Sequence, residues 1–362
     1  MARHVVVTGA TGLVGRAAME HFARAGVRTT AVSRREPYDT HGATHLPLDL
    51  TDEDACLREL GALEDVTHLV FAALHEEPDL VAGWTSPAHG ETNGRMLQNT
   101  LESLLISSPG LRHVTLLQGP KAYGVHVRPL RPGAREDRDE DRLTPNFYWV
   151  QEDYLRDRQS SAAYTWTIWR PALVLGLAGT GAMNLLAAIG VYAAVLRERG
   201  EPLHYPGHPV GSSAVQPTDT DLMARAIDWA GRAPEAADQV FNLTNGETFS
   251  LHNLWPVVAE ALGMQVGEVR PFRFVEELPG FADDWDTVRS SHGLSAPGLV
   301  QFLGQSVQFA DFVFGGRAPE GPQGSISTVK VRRAGFHEAM YTDEMLRKWF
   351  ARYRADGLLP PA

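Results

Sequence analysis

His4-Val5-Val6-Val7-Thr8-Gly9-Ala10-Thr11-Gly12-Leu13-Val14-Gly15 begins as an apolar, β-branched strand and ends in a glycine-rich turn that opens a helical pattern. Three glycines spaced G-x-x-G-x-x-G directly behind a strand read as a dinucleotide site. Gly9 permits the tight turn, Gly12 lets the backbone approach a pyrophosphate, and Gly15 lets the helix pack close to the sheet. With Thr11, Leu13 and Val14 the turn presents free N–H groups to phosphate at a helix N-terminus.

Outward from that turn, the chain alternates short β-branched runs with helical patterns up to about residue 120, the order that a doubly wound parallel sheet requires. The predicted helix Arg16 to Ala25 ends at Gly26, and Arg28 to Val32 reads as the second strand. Cofactor choice is decided at its end. NAD enzymes usually place an acid there for the ribose 2′-hydroxyl, whereas this chain has Ser33-Arg34-Arg35, a pattern suited to a 2′-phosphate. The pattern therefore favours NADPH/NADP+. The third strand, Thr44 to Leu48, leads into Asp49-Leu50-Thr51-Asp52, where Asp49 is the candidate acceptor for the adenine amino group and Asp52 a helix cap. The fourth, His68 to Phe71, runs into Ala72-Ala73, small enough for a ribose to lie against the backbone. Asn93 to Leu105 reads as a helix and Arg112 to Leu117 as the fifth strand.

Composition bounds the function. The chain has 362 residues, 33 Lys and Arg against 44 Asp and Glu, and a net charge of −11. That acidity argues against nucleic acid as a partner, since phosphate backbones need a basic surface. The one cysteine, Cys56, can form no internal disulfide, and no apolar segment opens the chain, so a cytoplasmic location is expected. Leu185 to Leu196 is too short to span a bilayer and reads as part of a buried helix, Met183 to Arg199, so no membrane role is expected. The 14 histidines lack ligand spacing, and no metal is expected.

Behind the fifth strand comes Gln118-Gly119-Pro120-Lys121, at the sheet edge where ligands of such folds bind. None of the nine tyrosines has a Lys four residues later, the usual pairing in short-chain dehydrogenases, and Tyr154 has Arg158 there instead. The natural partner for Lys121 is Tyr148, in Asn146-Phe147-Tyr148-Trp149-Val150-Gln151-Glu152-Asp153. These segments, followed by Arg170-Pro171, Met183-Asn184-Leu185, Val191-Tyr192-Ala193-Ala194, and Phe241-Asn242-x-Thr244-Asn245-Gly246, resemble the progesterone 5β-reductase and iridoid synthase-like group of atypical short-chain dehydrogenases, in a bacterial-type member. The likeness covers nearly the whole chain, on to Leu254-Trp255-Pro256-Val257 and Gly335-Phe336. It departs at Gln118, where the group often has Thr, and at Trp149, where it has Tyr.

The resemblance implies NADPH-dependent reduction of the C=C bond of an enone or enal, with Tyr148 and Lys121 as the catalytic pair. The chemistry is sound without it. Hydride addition at the β-carbon throws negative charge onto the carbonyl oxygen, which a tyrosine hydroxyl can stabilise. A carbonyl reductase or alcohol dehydrogenase on the same scaffold, and a non-catalytic NADP-binding regulator, are the alternatives. The expected fold is an α/β Rossmann-type sheet of the extended short-chain dehydrogenase kind, with a smaller, mainly helical C-terminal part. Residues 1–175 are expected to hold the cofactor and both catalytic residues. Residues 176–362 form most of the substrate cap, with about 210–250 returning to the sheet. Pro171 and Val174 should contact the nicotinamide, while Trp84, Trp149, Phe309, Phe312, Phe314 and Phe336 are candidates for an apolar substrate wall. The charged loop Arg128 to Thr144 reads equally as a mobile cover or as a disordered surface loop. The expected partner is a small hydrophobic carbonyl compound or enone, and a homodimer is expected.

Overall fold

Runs of residues buried on both sides build a central parallel sheet in the computed structural model, which describes residues 3–179, 181–208, 214–315 and 324–362. Its strands are β1 (His4–Thr8), β2 (Arg28–Ser33), β3 (Thr44–Pro47), β4 (His68–Phe71), β5 (His113–Leu117) and β6 (Thr165–Pro171), with Gln239–Leu243 as the seventh. The spatial order is Gln239–Leu243, β6, β5, β4, β1, β2, β3, all parallel. Strand order reverses between β1 and β4, so their carboxyl ends open a crevice at that point.

Helices cover both faces. α1 (Leu13–Arg24) and α7 (Thr220–Ala230) lie on one side, over a cluster that includes Val5, Val7, Met19, Phe22, Trp169, Leu222, Ile227 and Phe241. α2 (Glu53–Glu59), α4 (Pro87–Ser107) and α5 (Phe147–Gln159) lie on the other, over Val6, Val32, Leu69, Phe71, Leu97, Leu101 and Ile168. A short α3 (Leu80–Gly83) precedes α4. α1 starts three residues earlier than the sequence predicts because Gly12 itself is the cap, its carbonyl accepting from Arg16 N–H at 2.9 Å. α4 likewise starts at Pro87, whose fixed φ suits a first helical position.

The C-terminal part has its own core. α6 (Leu185–Glu198) is buried from Leu185 to Leu196 and packs among Trp255, Phe274, Trp285, Phe302, Trp349 and Tyr353. Close packing explains Gly190, where a Cβ would stand 2.5 Å from a Leu359 methyl. Within the expected return segment, α7 and Gln239–Leu243 belong to the sheet layer, and residues 210–213 lie outside the described residues. Val331 and Phe336 also join that layer, from a stretch expected to belong to the cap.

The loop expected to be a mobile cover is instead tied down. Ala134 bridges Ile326, Glu136 accepts from Asn242 N–H at 2.7 Å, and Asp141 pairs with Arg128 at 2.6 Å. Glu140 reaches the buried Arg170 at 2.7 Å. Glu136 and Glu140 thus bond to the sheet edge, while Arg135, Asp137 and Arg138 stay exposed and pair within the loop.

Arg170, on β6, has no exposed surface, nor does Glu152 on α5. The Glu152 carboxylate receives Arg142 and Arg156 on one oxygen, at 2.9 and 3.0 Å, and Gln118 and Arg170 on the other, at 3.0 and 3.4 Å. Arg170 Nε donates to Gln118 Oε1 at 2.8 Å, closing the network. Removing one member of such a buried set leaves charge without compensation. Arg170→Met is therefore expected to lower unfolding free energy by about 3 kcal/mol. In urea titration the midpoint should fall at unchanged slope.

Candidate functional site

Two sheet-edge turns form the floor of a cavity of about 990 Å³. At the first, Gly9 has φ +67°, and a Cβ there would stand 2.5 Å from the Ala72 carbonyl oxygen, so only glycine lets β1 and β4 end side by side. Gly15 lies behind the turn and off the cavity, where a Cβ would stand 2.2 Å from the Gly9 oxygen. Gly12 caps α1 with no side-chain bond, and the first turn carries no acid, so the leading N–H groups are left for an anion. Thr11, Gly12, Leu13 and Val14 line the cavity beside them.

The wall continues through Ser33, Arg34 and Arg35 at the end of β2, Asp49 and Leu50 beyond β3, and Ala72 and Ala73 beyond β4. Ser33 Oγ donates to the Arg35 carbonyl at 2.7 Å, which shapes the turn that presents both arginines. Hydrogen bonding from the Thr51 N–H holds the Asp49 carboxyl below its usual range, so Asp49 is an anionic acceptor. Open N–H groups after β1, arginines after β2 and an acceptor after β3, in the order of those neighbouring strands, could hold the pyrophosphate, a further phosphate and the adenine of a dinucleotide. Among the described residues no group of three or more His, Cys, Asp or Glu could hold a metal ion.

At the inner end the structure brings Lys121 and Tyr148 to one wall. Asn146 caps α5 by accepting from the Tyr148 N–H at 3.1 Å, and Gln118 donates to the Tyr148 carbonyl at 3.3 Å. A Cβ on Gly119 would stand 3.1 Å from the Tyr148 hydroxyl, so a bare backbone lets that hydroxyl rest over the strand end. Burial pushes the Tyr148 pKa well up, leaving a neutral phenol that can donate. The Lys121 ammonium sits among three rings, 4.5 Å from the centroid of Trp84 and 5.5 Å from those of Phe147 and Tyr148. Burial pulls its pKa down to about 8, against the opposing charge of Glu76. Pro171 and Val174 close this end, and Trp84 meets Phe312 edge-on at 5.2 Å. Phe309 and Phe314 also line it.

Two expected wall residues lie elsewhere. Trp149 points the other way along α5, donating to the Asp141 carbonyl at 3.1 Å beneath the Arg142 guanidinium. Phe336 packs between Trp229 and Trp169, at centroid distances of 5.5 and 6.5 Å, because its segment returns to the sheet. Two other tyrosines are engaged elsewhere: Tyr154 donates to Glu102 at 2.6 Å and Tyr123 to Asn242 at 2.6 Å. Sequence reasoning missed Glu76, a buried carboxylate on the cavity wall that contacts the buried His89. Its only signal was acidity just beyond β4, in a stretch that otherwise reads as a surface turn.

Residues 5–243 match the NAD dependent epimerase/dehydratase family. The chain is 30% identical over 329 residues to an (S)-8-oxocitronellyl enol synthase of Nepeta racemosa, covering 86% of this chain and 82% of that protein. It is 28% identical over 381 residues to a 3-oxo-Delta(4,5)-steroid 5-beta-reductase of Arabidopsis thaliana, covering 98% and 92%. A UDP-glucose 4-epimerase structure from Thermotoga maritima superimposes with a TM-score of 0.70 over 97% of this chain and 99% of that one, at 16% identity.

The lowered Lys121 pKa has a measurable consequence. Between about 8 and the model-peptide value of 10.5 the folded protein binds fewer protons than the unfolded chain, so this group's contribution makes stability rise with pH across that window. A lysine-selective NMR titration should show one resonance with a midpoint near 8, absent in Lys121→Met.

Proposed function

Because this chain belongs to the NAD dependent epimerase/dehydratase family and, within it, to the progesterone 5β-reductase and iridoid synthase-like enzymes, we propose that it reduces the C=C bond of enones and enals with NADPH. It is an oxidoreductase of the short-chain dehydrogenase/reductase superfamily. The observation that carries the finer reading is the Tyr148 hydroxyl over Gly119, in an apolar pocket beside the Lys121 ammonium.

Gly9, Gly12 and the N–H groups of α1 would hold the pyrophosphate, Arg34 and Arg35 the 2′-phosphate, and Asp49 the adenine. Ala72, Ala73, Gln118, Pro171 and Val174 would flank the nicotinamide half. Bound there, the reduced nicotinamide supplies hydride. Tyr148, kept protonated by burial, donates its hydrogen bond to the substrate carbonyl oxygen and stabilises the enolate that forms. Lys121 supports this as the one lysine on the cavity wall among the described residues, its charge little screened by solvent. The rings of Trp84, Phe309 and Phe312 exclude water and take a small hydrophobic substrate. In this reading residues 1–175 carry the cofactor and both catalytic groups, and most of the substrate wall comes from 176–362. Burial pushes the Cys56 thiol up to about 11, in keeping with an inert thiol in a reducing cytoplasm. Assembly as a homodimer, the commonest closed symmetry, is part of the same reading.

The deciding experiment uses deuterated NADPH and a cyclic enone. Deuterium should appear at the β-carbon of a saturated carbonyl product, whereas deuterium on a carbinol carbon overturns C=C reduction in favour of carbonyl reduction. Tyr148→Phe is expected to lower kcat by about tenfold or more, with NADPH affinity nearly unchanged by fluorescence titration. Arg34→Ala combined with Arg35→Ala should erase a preference for NADPH over NADH that direct binding to the unaltered protein displays.

A further inference from the structure

Only three of the 362 residues are lysines, Lys121, Lys330 and Lys348, and two of the three are tied down. Lys348 Nζ donates to Asp219 and Asp221 at 2.7 and 2.8 Å, and Lys330 Nζ to the Val240 carbonyl at 2.9 Å. Lys121 is the exception. Its Nζ makes no hydrogen bond or ion pair among the described residues, and its neighbours are the rings of Trp84, Phe147 and Tyr148. Lys121 is also only half-buried and lines the cavity, so a molecule that enters can meet the amine.

A lysine among apolar groups and without a carboxylate partner loses its proton readily and adds to carbonyl carbons. With its pKa at about 8, about half of Lys121 is free amine at pH 8, against under about one per cent of an ordinary lysine. Few charges act on it. The Glu76 carboxylate favours the ammonium, while His126 is kept neutral by burial and by the Lys121 charge, its pKa pulled down to about 4. The ammonium form serves the developing oxyanion described above, and the amine form is free to make a bond. Tyr148, a neutral phenol beside it, can carry a proton to an oxygen that has to leave.

We propose that Lys121 is a covalent site for small hydrophobic aldehydes, which it holds in the cavity as a reversible imine. This rests on the reading above only in that a small hydrophobic carbonyl compound enters here, and it holds whichever bond the nicotinamide reduces. The Nζ lone pair bonds to the carbonyl carbon while the C=O π pair moves to oxygen, and one Nζ proton passes to that oxygen. The resulting carbinolamine then breaks its C–O bond. Oxygen leaves as water with a proton from Tyr148, the nitrogen lone pair closes C=N, and the second Nζ proton restores the Tyr148 hydroxyl. One water is released per imine, and nothing is oxidised or reduced. Aldehydes are preferred to ketones because one face of their carbonyl carbon carries only hydrogen as a substituent to crowd the amine. The rings of Trp84, Phe309 and Phe312 take the hydrocarbon chain and hold back the water that would reverse the bond.

The test treats the cofactor-free full chain at pH 8 with hexanal and sodium cyanoborohydride, which traps an imine as a stable secondary amine, and locates the added hexyl group by peptide mass spectrometry. Lys121 should be labelled about tenfold or more faster than Lys330 or Lys348, which serve as references within the same folded chain. Mapping separates the reaction at the Met1 amine that any protein gives. Lys121→Arg keeps the cation and should lose this label, with an unchanged thermal melt showing that the variant is folded. No label on Lys121, or equal rates at the three lysines, overturns the proposal, and the comparison within the unaltered chain decides even where the variant fails to fold. Since no nicotinamide is present, such a failure leaves the reductase reading standing, and the deuterium experiment decides that reading separately.

Discussion

The Glu152 carboxylate is the constraint on which the site depends. Wholly buried, it survives only because three guanidinium groups and the Gln118 amide meet its two oxygens. Those partners come from the loop before α5, from α5 itself, from β6 and from the turn after β5. One charge therefore clamps the elements that carry Lys121 and Tyr148. Tyr148 and Glu152 are four residues apart, hence on one face of α5. Docking Glu152 onto Gln118 and Arg170 turns the Tyr148 hydroxyl over Gly119 as a consequence. In ordinary short-chain dehydrogenases one helix spaces Tyr and Lys by covalent geometry. Here two elements must be held in register, and a buried ion network supplies the register.

That clamp makes sense of the two departures from the family pattern. Gln118 has both a donor and an acceptor, and it uses them on Glu152 and Arg170 at once, which a threonine hydroxyl is too short to do in the same way. Trp149 slots between the Arg142 and Arg170 guanidinium groups, 4.5 and 5.6 Å from its ring. Both residues act on the framework of the site, although sequence reasoning assigned Trp149 to the substrate wall.

The legible parts were those fixed by local stereochemistry. The turn Gly9 to Gly15 is read from backbone demands that only glycine meets, and Lys121 and Tyr148 from sitting just beyond a strand and at a helix start. Phe336 and Trp149 were misplaced because an aromatic residue is apolar on any face, and the sequence does not say which core receives it. The loop Arg128 to Thr144 read as a mobile cover because the sheet partners of Glu140 and Glu136, Arg170 and Asn242, lie far along the chain. Glu76 and His89 stayed hidden for the same reason. A carboxylate in a turn and a histidine on a helix are ordinary until folding buries them 3.1 Å apart.

Charge divides the cavity into two ends with different tasks. The chain carries a net −11, so the bulk field repels a phosphorylated cofactor, and attraction must be local. In the proposed reading Arg34, Arg35 and the open N–H groups of α1 would provide it at the outer end, where the arginines are exposed and salt would screen phosphate binding. At the inner end, rings replace solvent, and the few charges present act at short range in a poorly screening medium. Lys121 there meets aromatic faces rather than a carboxylate, which in the proposed reaction would leave its field for a substrate oxygen that gains charge only as reaction proceeds. In the proposed C=C reduction a neutral carbonyl compound would enter such a pocket without desolvating an ion, and the field of Lys121 and the Tyr148 hydroxyl would act most strongly as the enolate forms.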